Sequence, residues 1–191
     1  TLANTSGSSS VSVAGGKTAT ICAGIAGTAA LEKLDSGTLT LAGPIQYKGG
    51  TVVGAGTLEL PGGDWVTGQP WNSSGATGPI FVESGATLSP SDGVTQIQNG
   101  LTLNGGTVVS RGLTYNDAWG NLYLSSNIAA GGAAASAISS QIVLTGSRTF
   151  TVDTGSTLAI TGKVTSWNHS GSGLVKTGEG SLGLSASNSY T

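Results

Sequence analysis

The sequence has 191 residues, a formal net charge of -2 and only 8% charged residues. Its seven Lys and Arg residues are scattered singly and form no basic stripe for phosphate groups, so nucleic-acid binding is disfavoured. No apolar run approaches the roughly 18 to 20 residues that cross a membrane, and we expect membrane contact only through a part of the protein outside this sequence. Val, Ile and Leu nevertheless recur throughout, which together with the small net charge argues against a disordered chain.

The chain opens with a Ser-rich leader, residues 1–10, which we expect to be flexible or to lie at an edge. Alternation of apolar and polar residues begins at Val11, breaks at Gly15 and Gly16, and then resumes. Cys22 is the single cysteine, so it has no partner for an intrachain disulfide. We interpret it as a small buried hydrophobe on a strand, a common setting for a free cysteine.

The chain contains an internal repeat. The stretch ALEKLDSGTLTLAGPIQY at Ala30–Tyr47 aligns without a gap with GLVKTGEGSLGLSASNSYT at Gly173–Thr191, and the constant offset between them places Lys33 on Lys176. The other matches are Leu31 with Leu174, Gly37 with Gly180, Leu39 and Leu41 with Leu182 and Leu184, and Tyr47 with Tyr190. Each copy predicts a short strand, a Gly turn and a second strand, a unit that must stack on neighbours to bury its apolar face.

Pairs of apolar residues also recur along the chain. The pairs are Leu39/Leu41, Leu58/Leu60, Leu101/Leu103, Leu122/Leu124, Ile142/Leu144, Leu158/Ile160 and Leu182/Leu184. Most of them return after roughly 16 to 24 residues, a spacing that we interpret as the length of one rung of a repeating structure.

The longest stretch without a strand pattern is residues 61–78, which we expect to be a loop inserted on one face. Strand signals follow it at residues 80–82 and 86–88. The Ala-rich run at residues 128–138 has helix propensity, but its two central Gly residues each cost about 1 kcal/mol relative to Ala. We therefore predict a tightly turned rung or a loop there rather than a helix.

Alternating strands joined by Gly turns leave two architectures, an antiparallel sandwich or barrel and a parallel β-solenoid. The internal repeat and the rung length favour the solenoid, since the strands of a sandwich need not resemble one another. We predict an all-β chain in which residues 11–191 form a single parallel β-solenoid, with the insertion around residues 61–78. About eight to nine rungs at roughly 4.8 Å each would make a rod on the order of 40 Å long, with Gly at corners that need a positive φ.

The second repeat copy resembles the autotransporter-associated β-strand repeat, also called the passenger-associated transport repeat, of type V secreted bacterial surface proteins. The pattern of that family is Leu-x-Lys-x-Gly-x-Gly-Thr-Leu-x-Leu-Ser-Gly, followed by Asn-x-Tyr-Thr. The matching residues are Leu174, Lys176, Gly178, Gly180, Leu182, Leu184, Ser185, Asn188, Tyr190 and Thr191. Ser181 stands where the family has Thr, and Ala186 stands where it has Gly. The first copy departs further, with Asp35 in place of a Gly and Ala42 in place of Ser.

The resemblance implies a right-handed parallel β-helix passenger that is exported across a cell envelope. It also implies an extracellular location or display on the bacterial outer cell surface, with the repeats thought to assist folding during export. The chain begins at Thr1 without a Met and stops just where a closing turn should follow, so we expect a processed product or a fragment of a larger protein.

Catalysis by such a chain would need clustered carboxylates, as an acid and base pair or as calcium ligands. The nine acidic residues are spread about one per rung: Glu32, Asp35, Glu59, Asp64, Glu83, Asp92, Asp117, Asp153 and Glu179. His169 has no nucleophile motif or spaced metal partner, and we interpret it as a turn residue. We therefore predict no enzyme activity, no catalytic residue, no metal site and no cofactor.

Aromatic residues beside Asn and Asp indicate a different kind of site. Trp65 and Trp71 lie in the inserted loop, and Tyr115 and Trp119 flank an Asn-Asp pair. A ring can cover the C–H face of a sugar while amides bond its hydroxyl groups, so these four residues are candidate glycan contacts. The alternative is that the Trp side chains are buried and plug the solenoid.

Three functions remain open from the sequence. The first is a non-enzymatic structural or adhesive β-helix module, with surface glycans as ligands. The second is a self-assembling filament subunit, because end rungs without polar caps leave unpaired strand edges that can stack on the next chain. The third is a carbohydrate-processing enzyme, which hydrolysis or lyase activity on glycans would reveal.

Overall fold

The structure, a computed structural model, describes residues 7–60, 78–90, 95–109, 122–166 and 171–190. All regular secondary structure in these ranges is β-strand, and none of them contains a helix long and apolar enough to cross a membrane. The loop predicted at residues 61–78 lies outside the described residues except for Gly78.

The strands are short, with two to five residues each. In chain order they are β1 (Ser8–Ser12), β2 (Thr18–Ile21), β3 (Ile25–Gly27), β4 (Ala30–Leu34), β5 (Thr38–Leu41), β6 (Ile45–Tyr47), β7 (Thr51–Val53), β8 (Thr57–Glu59), β9 (Ile80–Glu83), β10 (Thr87–Ser89), β11 (Thr95–Ile97), β12 (Leu101–Asn104), β13 (Thr107–Val108), β14 (Leu122–Leu124), β15 (Ile128–Ala130), β16 (Ser136–Ile138), β17 (Ile142–Leu144), β18 (Arg148–Val152), β19 (Thr157–Ile160), β20 (Val164–Ser166), β21 (Leu174–Thr177) and β22 (Ser181–Leu184). Alternating apolar and polar residues with frequent Thr, Val and Ile favour these strands, and Gly, Ser and Asn favour the turns between them.

The strands wind into a parallel β-solenoid, in which each turn pairs with its neighbours. One side is an eight-stranded sheet of β1, β4, β7, β9, β12, β15, β18 and β21. A second eight-stranded sheet contains β2, β5, β8, β10, β13, β16, β19 and β22, while the third side contains β11, β14, β17 and β20, with β3 and β6 as a separate pair. About six turns have three strands within the described residues. The predicted all-β parallel solenoid is confirmed, because the strand pairings are parallel on every side, which an antiparallel sandwich does not allow.

The backbone registers show that the turns differ in length. Thr38 pairs with Thr57, and Thr57 in turn pairs with Thr87, so the second of these two steps takes many more residues than the first. The turns are therefore more variable than the spacing of apolar pairs predicted. The reason is that the apolar pairs do not all lie in the same sheet, so the distance between two pairs is not always one full turn. Leu101 on β12 and Leu122 on β14, for example, lie in different sheets.

Local predictions made for particular stretches agree better with the structure. β9 and β10 form at the two strand signals that follow the long loop. The Ala-rich run forms β15, a turn and β16 rather than a helix. The two repeat copies occupy equivalent places, since Leu31 and Leu174 lie in one eight-stranded sheet and Leu39 and Leu182 lie in the other.

The core consists of apolar columns inside the solenoid. In the second sheet, Leu39, Leu58, Leu88, Val108 and Ile138 stack in consecutive turns, and each has 0% exposed surface. Burying one such side chain contributes about 1.5 to 3 kcal/mol. Because each side chain packs on the equivalent side chain of the next turn, the stability of the fold is a sum of similar nearest-neighbour terms.

Several corner glycines are required by the closeness of the neighbouring turn. A Cβ atom on Gly162 would lie 2.0 Å from the carbonyl oxygen of Ser140, and one on Gly49 would lie 2.3 Å from the carbonyl carbon of Ala29. Neither glycine has a positive φ. The sequence analysis expected Gly at corners that need a positive φ, and this reason holds at Gly56, whose φ is 65°. At Gly162 and Gly49 the reason is different, because the backbone of the preceding turn fills the space that a side chain would need.

Cys22 lies in a different environment from the predicted one. β2 ends at Ile21, and the Cys22 side chain is exposed directly after it. The interpretation as a buried hydrophobe on a strand is wrong, because the alternation of the strand turns Ile21 towards the core and the following residue towards solvent.

Gly162→Ala is expected to lower the free energy of unfolding by about 3 kcal/mol, because the new methyl group would overlap the Ser140 backbone and force the two turns apart. Gly183→Ala is the matched control, since a Cβ atom there meets nothing within 4 Å. Urea denaturation of both variants measures the difference. Equal stability of the two variants would contradict the stacked-turn geometry.

Candidate functional site

The glycan contacts predicted from the sequence, Trp65, Trp71, Tyr115 and Trp119, lie outside the described residues, as does His169. The glycan site therefore stays a prediction. Within the described residues, the polar chemistry lies in surface carboxylates, in cations bound by backbone carbonyl groups, and in a buried phenol.

Surface carboxylates accept hydrogen bonds from side chains one turn away. The pairs are Ser10 with Glu32 at 2.9 Å, Thr40 with Glu59 at 2.6 Å, Asn104 with Glu83 at 3.0 Å, Thr154 with Glu179 at 2.9 Å, and Ser12 with Asp35. Each is a charge-assisted bond between neighbouring turns, so it strengthens their stacking. In the ranges that the structure covers, no group of three or more His, Cys, Asp or Glu side chains could hold a metal ion.

Lys33 is an unusual charged residue, because it has 0% exposed surface. It occupies an inward position of β4, two residues after Leu31. Its Nζ donates to the carbonyl oxygens of Leu34 at 2.8 Å, Asp35 at 2.6 Å and Ala55 at 3.0 Å. Three acceptors match the three N–H bonds of an ammonium group, which compensates for its loss of water.

We call this arrangement the Lys33 clasp: Lys33 Nζ with the carbonyl oxygens of Leu34, Asp35 and Ala55. Leu34 ends β4 and Asp35 directly follows it, whereas Ala55 lies between β7 and β8, so the clasp joins two stacked turns. Asp35 has a φ of 61°, a conformation that non-glycine residues rarely adopt. Burial lowers the pKa of Lys33, and the nearby Asp35 carboxylate opposes that shift.

The sequence contained one signal for this clasp. Leu31 and Lys33 occupy successive inward positions of a strand, so the alternation places a lysine where an apolar residue is expected. Lysine is almost never fully buried unless its charge is satisfied. The sequence analysis used Lys33 only to align the two repeat copies and missed its role.

Lys176 is the equivalent residue in the second repeat copy, but its environment differs. It lies on β21, is exposed, and donates to the carbonyl oxygen of Gly178. Gly178 takes the place of Asp35 and has a similar φ of 77°. In the part of the chain that the structure describes, no turn corresponding to that of Ala55 stacks on β21. The Lys176 ammonium group therefore bonds a carbonyl group of its own turn, and among the described residues no further turn covers it.

Arg148 binds backbone carbonyl groups in the same way. Its guanidinium group donates to the carbonyl oxygens of Leu124 and Thr145, each at 3.2 Å, and to Thr145 Oγ1 at 2.9 Å. Leu124 ends β14, and Thr145 directly follows β17, the strand of the neighbouring turn that pairs with β14. Arg148 is thus a second cation that bridges neighbouring turns.

Tyr47 is a buried polar residue at the end of the first repeat copy. It has 2% exposed surface, and its hydroxyl group shares a hydrogen bond of 2.6 Å with Thr51 Oγ1. Burial raises the pKa of Tyr47 to about 12. Tyr47 also lines a largely apolar cavity of about 280 Å³, together with Val11, Ile21 and Ile25 of the first turn.

Comparison with known proteins agrees with the repeat pattern. The family model described as the passenger-associated-transport-repeat matches residues 31–60 and 174–191. The adhesin BmaC autotransporter of Brucella suis biovar 1 (strain 1330) is 36% identical over 104 residues, which make up 54% of this chain and 3% of that protein. The chain thus spans only a small part of the length of this curated relative. No solved structure matches the chain.

Lys33→Met is expected to lower the free energy of unfolding by about 3 kcal/mol, because it keeps the apolar stem but removes the charged donor from three carbonyl groups. Lys176→Met is the matched control, since it changes the same repeat position where the side chain is exposed. We expect a change within about 0.5 kcal/mol there. Urea denaturation compares the two, and equal losses would show that the clasp does not stabilise the stacking.

The stability difference between the wild-type chain and Tyr47→Phe is expected to change with pH. The pKa of Tyr47 is raised from 10.0 to about 12 in the folded chain, so its stabilising contribution is fully present below pH 10 and is lost as the pH rises to about 12. Two pKa units correspond to about 2.7 kcal/mol. Denaturation of both proteins at several pH values measures this, and a difference independent of pH would contradict the burial of the phenol.

Proposed function

Since the chain is an autotransporter passenger repeat protein, we propose that it is a non-enzymatic structural module of a bacterial protein that is displayed on the outer cell surface or secreted. The observation that carries this proposal is that the two matched segments, residues 31–60 and 174–191, form equivalent strands of one solenoid. A solenoid lengthens by adding turns and keeps the same cross-section. That property suits a spacer that holds a binding region away from a cell.

The proposed solenoid is right-handed and has about eight to nine rungs. Right-handed crossovers between parallel strands of one sheet are favoured almost without exception. Two sheets of eight strands each support the rung count.

The non-enzymatic assignment is supported by the way in which the carboxylates are used. Glu32, Glu59, Glu83 and Glu179 each accept a hydrogen bond from a hydroxyl or amide group of the neighbouring turn. A glycosidase instead places two carboxyl groups on either side of a scissile bond, about 5 to 9.5 Å apart. These four carboxylates therefore bridge neighbouring turns.

The proposed role extends to adhesion, with a surface glycan as the ligand. Support for adhesion comes from the name of the Brucella relative, an adhesin. Support for a glycan comes from the chemistry of Trp65, Trp71, Tyr115 and Trp119, whose rings lie beside amide and carboxylate side chains in the sequence. A carbohydrate-processing enzyme is the alternative that uses the same ligand class.

Beads coated with the chain are expected to be retained on an array of immobilised glycans and to leave the glycan masses unchanged. Replacing Trp65 and Trp71 by Ala should weaken retention by more than about tenfold if they are central contacts. Val109→Ala is the control, since it removes a side chain that is 38% exposed and lies outside the aromatic set. Cleaved glycans would overturn the non-enzymatic assignment, and absence of retention on every glycan would overturn the adhesive role.

A further inference from the structure

Four residues with the same position in consecutive turns form a polar column on the outside of the first eight-stranded sheet. Glu83 and Asn104 are the last residues of β9 and β12 and pair with each other. Gly131 and Asp153 directly follow β15 and β18, and backbone hydrogen bonds of 2.9 Å continue the ladder through both of them. The column therefore has three oxygen-bearing side chains and one residue without a side chain.

Gly131 leaves an opening in this column. A Cβ atom on Gly131 would lie 2.8 Å from Asp153 Oδ2 and 3.7 Å from Asn104 Oδ1. The side chains of the turn before and the turn after thus point an oxygen towards the same space. We call this arrangement the Gly131 cradle: Asn104 Oδ1, the Asp153 carboxylate and the space above Gly131.

Both oxygens at the cradle are hydrogen-bond acceptors. Asn104 Nδ2 donates to the two carboxylate oxygens of Glu83 at 3.0 and 3.2 Å, which fixes the orientation of the amide and leaves Oδ1 to face the cradle. An ionised Asp side chain has acceptor oxygens alone. Among the residues that the structure describes, none donates a hydrogen bond to Asn104 Oδ1 or to the Asp153 carboxylate. Two acceptors that converge in this way repel each other unless a positive group lies between them.

A calcium ion has the chemistry that the cradle requires. Calcium is bound by carboxylate and amide oxygens in a flexible geometry, with water in the remaining positions, whereas magnesium demands a near-ideal octahedron and loses its water reluctantly. Asp153 is exposed, so its carboxylate can rotate to meet an ion and the water around it. We propose that the Gly131 cradle binds a calcium ion, which Asp153 and Asn104 hold from the two sides of the β15 turn.

Neighbouring carboxylates increase the attraction for a cation. Glu83 lies one turn before the cradle and contacts the Asn104 amide. Glu179 lies one turn after it and accepts a hydrogen bond of 2.9 Å from Thr154, the residue that follows Asp153. The sequence analysis predicted no metal site because the acidic residues do not cluster along the chain. The cradle needs only one carboxylate ligand, since the facing amide oxygen and the missing side chain complete it.

A bound ion would connect turns that do not touch through side chains. The hydrogen bonds to Glu83 and Glu179 join adjacent turns, whereas an ion in the cradle joins the β12 turn to the β18 turn across the β15 turn. With two ligands from the protein, we expect a dissociation constant on the order of 10⁻³ M, as in extracellular calcium modules. The proposal does not depend on an adhesive role, since a chain without any glycan affinity can still bind calcium.

Urea denaturation with calcium chloride and with a chelator tests the site, with sodium chloride keeping the ionic strength constant. An ion that binds only the folded chain raises the folding equilibrium constant about tenfold when its free concentration is ten times the dissociation constant. We expect this rise with calcium chloride and a clearly smaller one with magnesium chloride. Isothermal titration calorimetry of the folded chain with calcium chloride measures the binding directly.

Two substitutions should remove the effect. Asp153→Asn removes the charged ligand, and Gly131→Ala places a methyl group in the cradle, 2.8 Å from the present position of Asp153 Oδ2. Each variant is expected to bind calcium at least tenfold more weakly. Each is compared with itself in the presence and absence of calcium, so a lower basal stability does not obscure the result.

Glu32→Gln is the matched control. It removes one negative charge from the same sheet, but Glu32 lies away from the cradle and accepts a hydrogen bond from Ser10. The full calcium effect should remain in this variant. Absence of calcium binding by the unmodified chain would overturn the proposal and would assign the cradle to a bridging water molecule. Equal calcium effects in the unmodified chain, Asp153→Asn and Gly131→Ala would also overturn it, because they would show general charge screening.

Discussion

The separation of one strand spacing, about 4.8 Å, between stacked turns is the constraint on which the rest of this structure depends. Every strand of the two eight-stranded sheets hydrogen-bonds to the turn before it, the turn after it, or both. The same spacing leaves no room for a side chain at corners such as Gly162 and Gly49. It also brings identical inward positions into contact, which produces columns such as that from Leu39 to Ile138.

Polar groups in this fold act mainly between turns rather than on a ligand. Lys33 and Arg148 donate to carbonyl oxygens of two successive turns. Glu32 and Glu179 accept hydrogen bonds from hydroxyl groups one turn away. With only 8% charged residues, the chain uses several of them as bridges along the axis of the solenoid. Among the described residues, these four side chains therefore connect neighbouring turns of the solenoid.

The sequence predicted the architecture because repetition is visible in residues, as in the alignment of Lys33 with Lys176. It did not predict the lengths of individual turns, since Leu101 and Leu122 look alike in sequence but lie in different sheets. It also missed the Lys33 clasp, because a buried charge is satisfied by carbonyl groups that only the stacked fold brings together. The prediction for Cys22 was wrong because successive residues of a strand point to opposite faces. A shift of one position is therefore enough to move a side chain from the core to solvent.

Hydrogen exchange of backbone amides tests the stacked-turn account most directly. Protection should be greatest in strands covered on both sides, such as β12 and β15, and least in β1 and β22, which lie at the ends of their sheets. Because stability is shared between nearest neighbours, we expect protection to decline gradually towards both ends. Amides of β12 that exchange as fast as those of β22 would contradict a solenoid held together by the pairing of successive turns.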